Sequence, residues 1–251
     1  MREYVLITGG TSGIGYELAR CFANNGYGIV IVASNEKNLA IAKDKITSEF
    51  DVPVVVYMQD LSELGSASIL YQRVKSDGIS INILVNNAGF GLIGSSEQMN
   101  MKKDQNMMTL NMISLVDLCK EFLKDRYVIG SGKILNVAST GAFQPGPYTS
   151  TYYASKAFVL SYSRAIRYEA KKKGIQVCTL CPGATKTDFF NKAGTKTPMS
   201  AMSAQLVAQY AYRRFMKNKE ISVPGVMNRV IRLIPKKIKM YAVAAMKNHP
   251  E

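Results

Sequence analysis

Short apolar runs alternate with longer amphipathic stretches along most of the chain. A continuous apolar run is typical of a strand that is buried on both faces of a sheet. Such runs predict strands at residues 4–8, 28–33, 54–58, 81–85, 133–137 and 175–180. The stretches between them repeat apolar residues at helical spacing, as Leu18, Ala19 and Phe22 do. This alternation predicts an α/β fold, a Rossmann-type doubly wound parallel sheet with helices on both faces.

No repeat or low-complexity linker divides the 251 residues, so a single domain over residues 1–251 is expected. Helical stretches are predicted over residues 99–126, and a long helix is predicted at residues 151–173. The regular pattern ends near residue 190, and a helix at 201–216 and a short strand at 221–223 follow. We therefore distinguish a core, residues 1–190, from a variable portion, residues 191–251.

With 47% hydrophobic and 20% charged residues, the chain has the composition of a folded, soluble protein. Its four cysteines form no disulfide framework, and the first apolar run is too short for a secretory or membrane-spanning segment. These features predict a cytoplasmic protein. Cys178 and Cys181 lie in a predicted strand, and His249 is the single histidine, so no metal site is expected.

The charge is strongly basic and uneven along the chain. The formal net charge is +14, and from Ser200 onward there are ten basic residues and two acidic ones. This excess favours an anionic partner such as a phosphate, a carboxylate or a membrane surface. Aromatic residues do not interleave with the basic ones, so no nucleic-acid partner is expected.

A glycine-rich turn, with Gly9, Gly13 and Gly15, joins the first predicted strand to the first helix. Glycines at such a junction let the backbone approach a phosphate, and the N-terminus of the helix presents free N–H groups to it. A merely tight strand-to-helix turn is the alternative. The order of strand, turn and helix favours a dinucleotide site.

Three Tyr-x-x-x-Lys pairs place a phenol and an ammonium on one helical face. Only the pair Tyr152/Lys156 follows a strand that ends in a serine, Ser139, at the sheet edge where ligands bind. The Lys156 ammonium is predicted to lower the pKa of the Tyr152 phenol toward a range useful for acid catalysis. The other two tyrosines, Tyr71 and Tyr168, are predicted to be structural or surface residues.

Further motifs follow in order along the chain, and with them it resembles the short-chain dehydrogenase/reductase (SDR) family. The resemblance runs from about Glu3 to Thr187 and leaves the variable portion, where this family selects its substrates, without a specific match. The matching segments are Thr8-Gly9-x-x-x-Gly13-Ile14-Gly15, Asn86-Asn87-Ala88-Gly89, the tetrad Asn111, Ser139, Tyr152 and Lys156, and Pro182-Gly183 with Thr187.

The resemblance implies an NAD(P)-dependent oxidoreductase that reduces a carbonyl or oxidises the corresponding alcohol. Tyr152 would be the general acid, Ser139 would polarise the carbonyl, Lys156 would also hold the nicotinamide ribose, and Asn111 would anchor a water of a proton relay. It further implies a small-molecule substrate and a homo-oligomer, dimer or tetramer, formed through the helices that contain Asn111 and Tyr152. The expected cofactor contacts are Gly9, Thr11, Ser12, Gly13, Ile14, Gly15, Ser34, Asn35, Asp60, Leu61, Asn87, Ala88, Gly89, Tyr152, Lys156, Pro182, Gly183, Thr185 and Thr187.

The end of the second strand decides which nicotinamide cofactor is expected. No carboxylate occupies Ser34 or Asn35, so nothing repels a 2'-phosphate, and NADP(H) is preferred over NAD(H). Lys37 would assist and Glu36 would oppose this choice. Asp60 matches the family residue that contacts the adenine, with Leu61 beside it, and its alternative role is to cap the following helix.

Residues 226–246 form a basic amphipathic segment that Pro235 divides into two short helices. One interpretation packs its apolar face on the core and leaves the charged face in solvent. The other is a flap over an apolar substrate, in peripheral contact with an anionic membrane. The apolar face holds Met227, Val230, Ile231, Ile234 and Ile238, and the opposite face holds Arg229, Arg232, Lys236 and Lys239.

Two functions of different classes remain open at this level. The first is the carbonyl reductase or alcohol dehydrogenase described above. The second is a regulator or scaffold that binds NADP without useful turnover. A pure binder has no need of a general acid, so the complete set of Asn111, Ser139, Tyr152 and Lys156 favours the enzyme.

Overall fold

A seven-stranded parallel sheet forms the centre of the protein in a computed structural model that describes residues 2–247. The strand order is β3-β2-β1-β4-β5-β6-β9, and every pairing is parallel. The predicted fold class is confirmed. The strands are β1 (Tyr4–Thr8), β2 (Gly28–Ala33), β3 (Val54–Met58), β4 (Ile81–Asn86), β5 (Gly132–Val137), β6 (Ile175–Leu180) and β9 (Ile221–Ser222).

Helices cover both faces of the sheet. They are α1 (Gly13–Ala23), α2 (Glu36–Glu49), α3 (Ser66–Ser76), α4 (Met101–Met108), α5 (Ser114–Ile129), α6 (Ser150–Lys171), α7 (Phe189–Lys192), α8 (Ala204–Met216), α9 (Val226–Ile231) and α10 (Lys236–Lys247). Apolar residues of α3, α5 and α6 form one core with the sheet, and those of α1, α2 and α8 form the second core on the opposite face.

The strand order reverses between β1 and β4, because the chain runs outward from β1 to β3 and then returns to pair β4 with β1. Ligands of open α/β sheets bind at such a reversal, beyond the carboxyl ends of the strands. The glycine-rich turn after β1 and the Asn86–Gly89 segment after β4 lie at this point.

The helical stretches predicted over residues 99–126 are present and extend over residues 101–129. Residues 101–129 contain a π-helical turn, Thr109–Ile113, between α4 and α5. Within it the N–H of Ser114 donates to the carbonyl of Thr109, whereas an α-helix would use the carbonyl of Leu110. A small parallel sheet of β7 (Thr185–Lys186) and β8 (Met202–Ser203), absent from the prediction, follows the sixth strand.

Buried polar side chains join the centre of the sheet to α6. Asn86 Nδ2 donates to Asn136 Oδ1 at 2.9 Å, and Asn136 Nδ2 donates to Ser163 Oγ at 2.9 Å. Cys119 Sγ of α5 accepts from Asn86 Nδ2 at 3.2 Å. These bonds set the position of α6, the helix that carries Tyr152, against β4 and β5.

The C-terminal segment divides at Pro235 into α9 and α10, but its predicted apolar face is not packed on the core. The predicted core residues Met227, Val230 and Ile238 are exposed, whereas Lys239, predicted to be solvated, is 6% exposed. The Nζ of Lys239 donates to the carbonyl of Arg232 at 3.3 Å, which joins the two helices. The end of the segment, with His249, lies outside the described residues.

Candidate active site

The glycine-rich turn is held open at the start of α1. Gly9 (φ +64°) and Gly13 (φ +55°) adopt left-handed conformations that disfavour other residues, and the N–H of Gly9 donates to Val32 at 2.8 Å. No side chain caps α1, and its first turn holds no acidic residue. The helix therefore presents unneutralised N–H groups, which fits a pyrophosphate.

The residues around the turn hold it against the neighbouring strand. Thr8 Oγ1 accepts from the backbone N–H groups of Asn87, at 3.0 Å, and Ala88, at 2.9 Å. Asn87 Nδ2 donates in return to the carbonyls of Thr8 and Gly9. A Cβ on Gly15 would overlap the Gly9 carbonyl and the Asn87 amide. Glycine is thus required at position 15 by packing.

The loop after β6 comes back to this turn. A Cβ on Gly13 would lie 2.8 Å from Thr187 Cγ2, so the two predicted cofactor segments are in contact. Thr185 is buried, and its Oγ1 donates to the carbonyl of Gly183 at 3.0 Å. Of the remaining predicted contacts in the first turn, Thr11 and Ile14 are half-buried and Ser12 is exposed.

The ends of β2 and β3 carry the residues expected to contact the adenosine part of a cofactor. Ser34 and Asn35 are exposed, and Asn35 Oδ1 caps α2 by accepting from the N–H of Asn38 at 2.9 Å. Asp60 is exposed and accepts from the N–H and hydroxyl of Ser62. The capping alternative for Asp60 is wrong, because α3 begins at Ser66.

Both the backbone and the side chain of Leu61 hold this residue in position. The side chain belongs to the core beside α3 and α5, and the carbonyl accepts from Ser114 Oγ at 2.6 Å. Ser114 follows the π-turn directly, so this bond connects the end of β3 with the helix that contains Asn111.

Tyr152 and Ser139 meet at the carboxyl end of β5. Burial raises the pKa of the Tyr152 phenol to about 12, and a side-chain hydrogen bond with Ser139 opposes this rise. Ser139 Oγ also accepts from the N–H of Gly141 at 3.0 Å. The prediction of a lowered pKa for Tyr152 is therefore wrong in this structure, because burial outweighs the polar contacts of the phenol.

The ammonium of Lys156 is bonded to the backbone of β5 and lies over the ring of Tyr152. Its Nζ donates to the carbonyl of Val137 at 3.0 Å and lies 5.8 Å from the centre of the Tyr152 ring. The side chain is 5% exposed, and burial lowers the pKa of its ammonium to about 8. A Cβ on Gly89 would lie 3.3 Å from this Nζ, so the ammonium adjoins the segment after β4.

Asn111 lies in the π-turn beside the same segment. Its Nδ2 donates to the carbonyl of Phe90 at 3.0 Å and to Ser155 Oγ at 3.1 Å, and its Oδ1 accepts from the N–H of Phe90 at 3.3 Å. A Cβ on Gly89 would lie 2.8 Å from Asn111 Oδ1. Asn111 and Lys156 thus lie on two sides of Gly89, with no direct bond between them.

The three Tyr-x-x-x-Lys pairs have different surroundings. Tyr71 is buried in the core, and Lys75 forms an ion pair with Asp125. The ammonium of Lys172 lies 5.8 Å from the ring of Tyr168, the same distance as in the Tyr152/Lys156 pair, but Tyr168 is 74% exposed. The contact with Ser139 therefore distinguishes Tyr152, whereas the spacing does not.

Two residues of this region were not predicted. Phe189, at the start of α7, packs against Tyr152 with ring centres 5.3 Å apart. Asn228 of α9 lies against the Pro182-Gly183 turn, where a Cβ on Gly183 would be 2.5 Å from Asn228 Nδ2. The only sequence signal for Phe189 is an aromatic pair, Phe189-Phe190, shortly after Thr187, and Asn228 has none.

The family model described as short chain dehydrogenase matches residues 3–198, most of the chain. The chain belongs to the short-chain dehydrogenase family. Its sequence is 30% identical over 204 residues to mouse 17-beta-hydroxysteroid dehydrogenase type 3, covering 78% of this chain and 66% of that protein. It is 27% identical to the 3-oxoacyl-[acyl-carrier-protein] reductase FabG of Chlamydia muridarum, covering 75% and 76%.

Solved structures agree with this membership. A short-chain dehydrogenase from Sphingobium yanoikuyae in complex with NADPH superposes with a TM-score of 0.85 at 28% identity, covering 99% of this chain and 97% of that one. The protein is thus an oxidoreductase of the short-chain dehydrogenase family with its Rossmann fold. Within residues 2–247, no helix is long and apolar enough to cross a membrane.

The cysteines lie apart from this site or deep within the core. Cys178 and Cys181 are both buried, and burial raises the pKa of their thiols to about 11 and about 12. In the described part of the chain, no group of three or more His, Cys, Asp or Glu residues is arranged to hold a metal ion.

Proposed function

We propose that this short-chain dehydrogenase is an NADP(H)-dependent carbonyl reductase, or an alcohol dehydrogenase in the reverse direction. One observation carries the proposal: Asn111 and Lys156 both adjoin Gly89, and the Lys156 ammonium lies 5.8 Å from the ring of Tyr152, whose phenol adjoins Ser139. A half-buried phenol beside a serine and a buried ammonium suits proton transfer to a substrate oxygen.

The chemistry divides among these side chains. A bound nicotinamide cofactor supplies or accepts the hydride. Ser139 and Tyr152 donate hydrogen bonds to the carbonyl oxygen and stabilise the negative charge that develops on it. Tyr152 then transfers its proton to that oxygen, and its raised pKa keeps the phenol protonated at neutral pH.

Lys156 and Asn111 are proposed to support the reaction without contacting the substrate. We assign Lys156 to hold the nicotinamide ribose with its ammonium donors. Asn111 anchors the water that connects Lys156 with solvent. Because the side chain of Asn111 is engaged by Phe90 and Ser155, the anchoring group is the backbone of the π-turn, where the hydrogen-bond register changes.

The choice of NADP(H) over NAD(H) is supported by the exposed end of β2. No carboxylate is present at Ser34 or Asn35, and Lys37 is exposed nearby, whereas Glu36 in the first turn of α2 opposes the choice. The similar Sphingobium enzyme is in complex with NADPH. Fluorescence titration measures both dissociation constants, and tighter binding of NADH than of NADPH would reverse the assignment.

We further propose a small-molecule substrate that residues 191–251 select, while residues 1–190 bind the cofactor and carry out the chemistry. The similar proteins are named for 3-oxoacyl and 17-beta-hydroxysteroid substrates, both of which carry a carbonyl or hydroxyl on an apolar body. The aromatic contact of Phe189 with Tyr152 supports an apolar body in this protein as well. The cytoplasm, where NADPH is abundant, is the proposed location.

The decisive experiment replaces Tyr152 and its neighbour separately. Tyr152→Phe removes the acidic hydroxyl, so kcat for NADPH-dependent reduction of a ketone panel should fall by about 10²–10⁴-fold. The NADPH dissociation constant should change by less than about threefold, because the ring remains. Stopped-flow absorbance and fluorescence titration measure the two quantities.

Tyr153→Phe is the matched control. The Tyr153 ring packs against Gly141 and Gly146, 6.0 Å from the Tyr152 ring and in a T-shaped arrangement. Its hydroxyl is not assigned to the reaction, so turnover should be retained. Full activity in Tyr152→Phe would exclude the assignment of the acid, and tight NADPH binding with no turnover of any carbonyl by the wild type would favour the regulator or scaffold.

A further inference from the structure

The two C-terminal helices expose apolar side chains along one side. In α9 and the residues after it these are Val226, Met227, Val230 and Leu233, spaced three or four residues apart. In α10 they are Ile238 and Tyr241, followed by Met246. Met227 is 69% exposed and Leu233 is 78% exposed. Contiguous exposed apolar residues of this kind mark an interaction surface, which we call the α9–α10 surface.

Basic residues flank this surface without any acidic neighbour in the sequence. Between Ile221 and Pro250 the chain contains no aspartate or glutamate. Arg229 and the pair Lys236-Lys237, at the start of α10, are exposed. The basic residues of this stretch are Arg229, Arg232, Lys236, Lys237, Lys239 and Lys247.

Few contacts hold the two helices to the rest of the protein. On the inner side of α10, Val243 and the stem of Lys239 are buried. The guanidinium of Arg232 lies over the ring of Phe143, 5.4 Å from its centre, and Asn228 lies against Gly183. These contacts attach the inner side of the two helices to the rest of the protein. The apolar side chains on the outer side remain exposed.

We propose that the α9–α10 surface docks on a lipid bilayer that contains anionic phospholipids. Exposed apolar side chains enter the interface between headgroups and acyl chains, and the basic residues at their margin pair with lipid phosphates. A second copy of the chain is a poorer occupant, because a symmetric contact would bring Arg229, Lys236 and Lys237 toward their own copies. Charge complementarity therefore selects an anionic bilayer.

The position of this surface gives it a functional consequence that rests on the proposed function. Phe143 lies in the 3₁₀ turn immediately after Ser139, and Gly183 lies in the loop expected to contact the nicotinamide. Both are contacted by α9 or the residue after it. Docking would therefore bring the entrance of the proposed site to the bilayer surface, where apolar carbonyl compounds concentrate.

Vesicle co-sedimentation of the full chain tests the docking without turnover. Vesicles consist of phosphatidylcholine alone or with about 30 mol % phosphatidylserine, which imitates an anionic leaflet. We expect the wild type to partition about tenfold more strongly onto the anionic vesicles. This partitioning should weaken in about 0.5 M NaCl, because salt screens the charge.

Two paired variants remove the two parts of the surface. Met227→Glu with Val230→Glu should lower partitioning about tenfold, and Lys236→Gln with Lys237→Gln should lower it about threefold or more. The matched controls are Leu64→Glu with Ile69→Glu, which are equally exposed apolar residues, and Lys102→Gln with Lys103→Gln, an exposed lysine pair in α4. The controls should partition as the wild type does.

The outcomes separate the alternatives. No preference of the wild type for anionic vesicles, or equal losses in the controls, would overturn the proposal. If light scattering instead shows an oligomer that Met227→Glu with Val230→Glu dissociates, and no vesicle binding, then a second copy occupies the surface. NADPH binding by the same variants, measured by fluorescence titration, tests the proposed function separately, and it should be unchanged because residues 1–190 are proposed to bind the cofactor.

Discussion

A buried cation is the least favourable group in the proposed site, and Lys156 is that cation. Its ammonium is 5% exposed and donates one hydrogen bond, to the carbonyl of Val137. Burial penalises the charged form and lowers its pKa from 10.5 to about 8. The folded protein therefore binds a proton at Lys156 less tightly than the unfolded chain does, and the charge costs stability at neutral pH.

We predict that Lys156→Met stabilises the fold at pH 7 while it removes activity. The depressed pKa corresponds to a stabilisation of about 1–3 kcal/mol, once the lost bond to Val137 is subtracted. Urea denaturation measures the free energy of unfolding. Lys172→Met is the control, because Lys172 lies at the same distance from Tyr168 but its tyrosine is exposed, so stability should hardly change.

The pH dependence of the free energy of unfolding provides a second, independent test of this prediction. Between about pH 8 and pH 10.5 the unfolded chain holds the Lys156 proton and the folded chain does not, so wild-type stability should gain a contribution as pH rises through this window. In Lys156→Met this contribution disappears. A destabilised mutant at pH 7, or an unchanged profile, would contradict the assigned burial of a charged lysine.

The sequence alone allowed the candidate site residues to be predicted, but not all of their properties. The residues of the proposed tetrad could be picked out because the sequence resembles the short-chain dehydrogenase/reductase family at those positions. The direction of the pKa shift of Tyr152 could not be predicted from the sequence, because it depends on burial and on the hydrogen bond of Lys156 to Val137. Spacing along a helix determines neither quantity.

At the scale of elements, buried amides fix the helix that carries Tyr152. Asn136 is fully buried and bridges Asn86 of β4 to Ser163 of α6. We predict that Asn136→Leu lowers the free energy of unfolding by about 2–4 kcal/mol, because the amide of Asn86 and the hydroxyl of Ser163 would lose their partners in the core. Chemical denaturation followed by circular dichroism measures the loss.

Ser163→Ala provides the graded control for this network. It removes one bond and leaves the bond between Asn86 and Asn136 intact, so its cost should be about 1–2 kcal/mol. None of these side chains contacts Tyr152 in the described structure, and the folded fraction of both variants should retain its turnover. Equal stability of Asn136→Leu and the wild type would show that the network contributes nothing.

The elements themselves were predictable wherever an apolar run was continuous. Strands β1, β2, β3 and β6 have the predicted bounds, since a run of mostly apolar residues marks each of them in the sequence. The π-turn at Thr109–Ile113 was not predictable, because its residues suit an α-helix equally well. The prediction of which face of α10 is buried was wrong, because amphipathic spacing does not determine which face meets the core. Lys239 lies on the buried face.

At the scale of the whole molecule, the outer side of α6 remains apolar after the chain has folded. Phe158 is 41% exposed and stacks on Tyr162 with ring centres 5.9 Å apart. Ala154, Ala165 and Tyr168 are exposed on the same side, at spacings of three, four or seven residues. Small residues around one aromatic ring allow two helices to approach closely. This side differs from the α9–α10 surface, because the charged residues near it are not all of one sign.

We predict that the protein is a homo-oligomer through α6 and that Phe158→Arg dissociates it. The substitution would place two cations in a symmetric contact of about 800 Å² per partner. Size-exclusion chromatography with light scattering should give a multiple of 27.7 kDa for the wild type and 27.7 kDa for the variant. Leu206→Arg, on an exposed position of α8, is the control and should leave the mass unchanged. A wild type that stays monomeric at about 50 μM, well above the dissociation constants of stable dimers, would contradict the prediction.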